Sequence, residues 1–212
     1  ADGDLRGGAR RGLRLMWMRP NEIAAGLTGA WGLFLRDAQA LTLIDCSPRG
    51  AARSFQLAVF LLPVYVFLLA LVWAPVWTNL DLSILVLVEG LTWVIGWTAM
   101  PMIVYWLSGP MNVRDNWFAF VSAYNWSAPI QMAIALIVIL ITTIPMFQGA
   151  MAFVVFLVAT VIRLSYLMYV IKVALDVRTG PAIGLTALDF VLALILETQS
   201  NAVIRIGSGV AF

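Results

Sequence analysis

The chain has 212 residues and a net charge of +2, with 62% apolar and only 11% charged residues and a mean hydropathy of +0.95. Soluble domains carry about 25% charged residues, so this chain lacks the polar surface to coat a water-soluble globule and reads as a polytopic membrane protein. Histidine is absent and Cys46 is the one cysteine, which excludes a bis-His haem, a His-ligated chlorophyll, a His-bound metal, a Ser-His-Asp triad, an internal disulfide and a CxxC site.

Residues 1–20 form a Gly/Arg-rich arm with Arg6, Arg10, Arg11 and Arg14. No short apolar core with a small-residue cleavage site follows it, so it does not read as a signal peptide. A basic arm of this kind contacts anionic headgroups or a partner protein. No aromatic-interleaved motif points to nucleic acid.

Residues 21–55 hold an amphipathic helix and a turn. Ile23, Leu27, Trp31, Phe34, Ala38 and Leu41 recur at steps of three or four, which is one helical face. The segment is too polar to span. It is expected to lie on the cytoplasmic leaflet, with Trp31 and Phe34 as membrane-surface or partner contacts, or to pack on the protein's own spans. Ser47-Pro48 marks a break. Cys46 beside it reads as a palmitoylation site or an unreactive thiol.

Five apolar runs follow at about 56–77, 83–107, 117–144, 151–172 and 183–203, with a short tail at 206–212. Each has the ~20 residues that a crossing needs. Pro63 and Pro75 in the first run, and Pro129 in the third, are expected to kink or break their helices. The fold class is therefore all-α: a five-span membrane bundle preceded by an interfacial amphipathic helix. Eleven of the 13 basic residues fall before the first span, in loop 108–116 or in loop 172–182. The positive-inside rule then places the N-terminus in the cytoplasm and the C-terminus on the opposite side. Trp73, Trp77, Trp106, Trp117 and Tyr169 lie near span ends, as an aromatic belt does.

Four ionisable residues, Glu89, Arg163, Asp189 and Glu197, fall inside the runs. Each costs ~2.5–3.5 kcal/mol at the bilayer centre, so each needs a partner, a water or a function. Arg163 and Asp189 lie about 13 and 10 Å from the cytoplasmic ends of consecutive spans, which suits an ion pair, structural or part of a transport path. Glu89 and Glu197 both lie about 9 Å from the outer ends and suit an outer polar pocket. Tyr124, Asn125, Ser127 and Pro129 form a polar cluster where a broken helix would build a substrate site or glue spans together. Gly90 with Gly96, and Gly180 with Gly184, permit close helix approach. No catalytic motif, metal-ligand cluster or cofactor-binding pattern is present, so the chain does not read as an enzyme and no cofactor is expected.

An N-terminal amphipathic segment before five closely spaced spans resembles the Yip1-type family of small integral membrane proteins. Gly29-Ala30-Trp31, Leu43-Ile44-Asp45-Cys46-Ser47, Arg53-Ser54-Phe55 and Ala123-Tyr124-Asn125-Trp126 resemble, more narrowly, a group of alphaproteobacterial inner-membrane proteins. The resemblance covers roughly residues 21–205. It implies the bacterial inner membrane, with the C-terminus periplasmic, and membrane organisation and partner binding rather than catalysis. Two readings of function stay open. One is an accessory, assembly or scaffold protein that binds lipids and other integral membrane proteins. The other is a small oligomeric transporter or channel that uses the intramembrane carboxylates.

The orientation is testable with reporter fusions. A reporter that is active only outside the cytoplasm should work at the C-terminus and fail at the N-terminus. Activity at both ends would mean an even number of crossings.

Overall fold

A computed structural model describes residues 17–209. The arm residues Arg6, Arg10, Arg11 and Arg14 lie outside the described residues. Hydrocarbon offers no water to backbone groups, so a chain this apolar satisfies them within helices. Among the described residues there are seven α-helices and no strand: α1 (Pro20–Phe34), α2 (Pro48–Ser54), α3 (Gln56–Trp73), α4 (Leu82–Ser108), α5 (Trp117–Thr142), α6 (Ala150–Leu175) and α7 (Thr179–Ser208). Five segments are long and apolar enough to cross a membrane: Pro48–Asn79, Leu82–Ser108, Arg114–Thr142, Ala150–Leu175 and Thr179–Ser208. The chain is thus a membrane helical bundle of five spans preceded by an amphipathic helix.

The helix ends follow local chemistry. Asp81 caps α4, its carboxylate accepting from the Ser83 and Ile84 amides. The Ser83 hydroxyl, which also donates to Asp81, and then the Ile84 and Ser83 amides hold its pKa below the ordinary carboxylate value. Ser47 caps α2 with Pro48 in the first turn. The chain switches from α to 3-10 geometry at Ala74, next to Pro75. Pro63 and Pro129, by contrast, sit inside continuous helices. The expected break in the third span is absent, because a proline removes one amide and leaves the remaining ladder to carry the helix.

Spans α5, α6, α7 and α4 pack in a ring in that order, α4 returns to α5, and α3 lies on α5. One large apolar cluster fills the end where α1 and α2 dock. Met100, Val104, Phe120, Tyr166, Val170 and Leu175 are its centre. At the far end only Trp73, Leu85 and Ile204 are buried together. Trp73 is therefore a core residue with the Arg205 guanidinium 5.6 Å from its ring, while Trp77 and Trp106 are exposed.

The N-terminal segment is clasped onto the bundle. Tyr166 donates to the Ala30 carbonyl (3.0 Å), Tyr169 to the Arg36 carbonyl (2.6 Å) and Ser122 to the Asp45 carbonyl (2.9 Å). Helix α1 ends in a Schellman motif, with Asp37 N–H on the Gly32 carbonyl and Arg36 N–H on that of Leu33. Arg36 takes the left-handed position there, at φ 70°. Its guanidinium offsets that strain by bonding the Ser165 carbonyl and hydroxyl and lying over the Tyr169 ring. The helix accordingly stops at Phe34, and residues Ala38–Leu43 form a 3-10 turn.

The packing face of α1 differs from the expected stripe. Gly26, Gly29, Ala30 and Leu33 face the bundle, while Leu27 and Trp31 are exposed, Trp31 at 53%. The missing side chain on Gly26 lets the backbone approach Trp126 of α5, that on Gly29 admits Ala40 and Ile44 of the following turn, and the bulky Leu27 and Trp31 turn outward. Trp31 stacks on Phe34, whose ring meets Tyr166 edge-on. The paired glycines of the spans do the opposite. A Cβ on Gly90, Gly96, Gly180 or Gly184 would meet nothing within 4 Å, so these residues mediate no close helix approach.

Asp45 ties the connecting turn. It accepts from the Ser47 amide (3.0 Å) and from Arg53 (3.1 Å), which also pairs with Glu22 (2.9 Å). The Ser47 bonds, and then Arg53, hold the Asp45 carboxyl below its ordinary pKa against the opposing effect of burial. Burial, then the Asp45 charge, push the neighbouring Cys46 thiol up, which disfavours its reactive thiolate form.

A Cβ on Gly26 would sit 2.3 Å from the Trp126 ring. Gly26→Ala should destabilise the detergent-solubilised protein by about 1–3 kcal/mol, as overpacking does. Thermal unfolding against exposed Thr28→Ala measures this, and equal midpoints for the two variants would contradict the docking described.

Candidate functional site

All five spans contribute to one partly open cavity of about 470 Å³. That volume falls in the range of small-molecule sites, about 300–1,000 Å³. Tyr65 and Trp73 come from α3, Glu89, Trp93 and Trp97 from α4, Tyr124, Asn125 and Gln131 from α5, Arg163 from α6, and Glu197, Ser200 and Asn201 from α7. Arg163 and Glu197 are exposed, whereas Glu89 and Asn125 are buried. The cavity therefore grades from accessible charged groups to enclosed ones.

Glu89 is 7% exposed. Tyr65 Oη donates to its Oε2 (2.6 Å) and Ser200 Oγ to its Oε1 (3.0 Å). One carboxylate thus joins α3, α4 and α7. Tyr65 also stacks on Trp93, centroids 4.3 Å apart, and Trp93 meets Trp97 edge-on at 5.6 Å. Glu89, Trp93 and Trp97 are spaced by four residues and share one face of α4.

The expected Arg163–Asp189 ion pair is not formed. Among the described residues the salt bridges belong to Arg53. Asp189 instead accepts from Tyr124 Oη (2.7 Å). Arg163 makes no salt bridge with Asp189 or with Glu197. Similar depth was not enough, because rotation about the helix axes decides contact, and the Asp189 carboxylate is engaged by Tyr124 instead. Glu89 and Glu197, matched by depth in the same way, line the same cavity.

The polar cluster on α5 divides between cavity and core. Ser127 Oγ donates to the Tyr124 carbonyl and accepts from Gln131. Asn125 is fully buried, and its Nδ2 donates to Ser54 Oγ (2.8 Å). Ser54 spends its own proton on the Ala51 carbonyl (2.7 Å), so it can only accept from Asn125 and the amide orientation is set. Asn125 Oδ1 is left with no partner, the one buried side-chain polar atom of the described residues in that state. Pro129 adds a second deficit, because it lacks the amide that would serve the Asn125 backbone carbonyl.

Tyr65, Trp93, Trp97, Gln131, Ser200 and Asn201 were not singled out from sequence. The four-residue spacing from Glu89 was a usable signal for Trp93 and Trp97, and the step from Glu197 for Ser200 and Asn201. Nothing in the sequence brings Tyr65 to Glu89. No protein-family model matches the chain, and no curated protein or solved structure matches it.

Ser54→Ala removes the acceptor of a fully buried amide. It should lower stability by about 1–3 kcal/mol, the penalty of an unsatisfied buried donor. Exposed Thr198→Ala, which loses a bond only to its own helix, should have little effect in the same thermal unfolding assay. Indistinguishable variants would mean that the Asn125–Ser54 bond is not made.

Proposed function

We propose that this integral membrane protein binds a small solute between its spans and moves it across the bilayer, as a transporter or channel. One observation supports this reading above the others: the cavity draws Glu89, Asn125, Arg163 and Glu197 together from four spans. Burying polar groups in a bilayer is costly, and pairs alone would stabilise the bundle without leaving a cavity of about 470 Å³. The accessory or scaffold reading draws on the apolar outer faces and the resemblance to the Yip1-type family. Those faces are covered as well by lipid as by partners, so they do not favour it. In the proposed arrangement the basic arm faces the cytoplasm of a bacterial cell, and the exposed stripe of α1 rests at the membrane surface.

Gentle-detergent purification followed by native mass spectrometry tests this. A single chain or homo-oligomer carrying a small-molecule adduct is expected, with the adduct weakened by Glu89→Gln. The adduct, once identified, should cross proteoliposomes containing the wild-type protein. A stoichiometric set of other membrane proteins with no retained solute would overturn the proposal in favour of an accessory subunit.

A further inference from the structure

The charges of the cavity do not balance. Against one cation, Arg163, its lining carries two carboxylates, Glu89 and Glu197. Glu89 has two neutral donors, Tyr65 and Ser200, and makes no salt bridge among the described residues. It is enclosed at 7% exposure, where a missing counter-charge is expensive. The nearby unsatisfied groups are acceptors too. Asn125 Oδ1 has no donor, and Pro129 denies one to the Asn125 carbonyl. Gln131 gives one N–H to Ser127, and its carbonyl oxygen remains as a further acceptor.

Apolar flat surface lies beside these acceptors. Tyr65, Trp93 and Trp97 form a continuous aromatic wall on the same side as Glu89, and all three line the cavity. Aromatic faces attract cations, more so when desolvated. A bare metal ion would leave most of about 470 Å³ unfilled, and an anion would meet two carboxylates, Glu89 and Glu197, in the lining against one Arg163.

We propose that the cavity takes an organic cation, a protonated amine on an aromatic or otherwise flat apolar body. Its N–H groups meet Glu89 and the Asn125 acceptors, and its body lies along the Tyr65–Trp93–Trp97 wall. N–H donors are required, so a quaternary ammonium of the same shape is a poorer fit than a primary amine. This rests on the solute-binding reading above and adds the ligand's charge and donor pattern.

Calorimetric titration of the purified full-length protein in detergent distinguishes the two levels. The probes are phenethylamine, its trimethylammonium analogue, phenethyl alcohol and phenylpropionate. Wild-type protein should bind the amine about tenfold or more tightly than the other three. Glu89→Gln should remove that preference. The wild-type comparison stands on its own if the variant fails to fold. Equal or tighter binding of the alcohol or the carboxylate would overturn the cation assignment and leave the solute site standing. So would an amine affinity that Glu89→Gln does not change. Failure of all four probes to bind would overturn the assignment, and the proposed solute site would then depend on whether native mass spectrometry finds a retained molecule.

Discussion

Hydrocarbon contains no water, so each polar side chain that enters it must find its partner on the same chain or meet a ligand. In this bundle that constraint decides which spans are neighbours at depth. Glu89 gathers Tyr65 from α3 and Ser200 from α7. Tyr124 of α5 reaches Asp189 of α7. Asn125 of α5 reaches back to Ser54 at the end of α2. Apolar contacts between spans carry little preference for one neighbour over another, since lipid tails are equally apolar. The hydrogen bonds supply the register that apolar packing does not.

The two ends of the bundle are built differently. Where α1 and α2 dock, tyrosines and a serine of α5 and α6 bond backbone carbonyls of the N-terminal segment, and the largest side chains are buried. Toward the other end the buried cluster shrinks to three residues, and the cavity occupies space between spans. Local opening is easier where buried contacts are few, so the end around the cavity is the less firmly held of the two. Asn125 Oδ1, which has no partner, and Glu89, which has neutral donors and no salt bridge among the described residues, both belong to residues that line that cavity.

Hydropathy and periodicity alone set the class of the protein, the five spans and the helix before them, because crossing a bilayer demands long apolar helices whatever their neighbours. The ionisable positions were equally legible, since a charge in an apolar run stands out. Their partners were not. Depth along the membrane normal follows from residue number, but rotation about each helix axis depends on all the other spans. Arg163 and Asp189 therefore shared a level without sharing a contact, and Tyr65 came to Glu89 with no local signal. The packing face of α1 was hidden for a related reason. Glycines carry no hydrophobic signal, yet Gly26 is where Trp126 fits, so the apolar stripe marked by Leu27 and Trp31 named the outward face. Sequence determined which groups had to be paid for inside the membrane; only the tertiary structure decided that Tyr124 satisfies Asp189, that Glu89 and Asn125 share a cavity, and that both retain unmet charge or acceptors there, because those outcomes depend on how five helices rotate against one another.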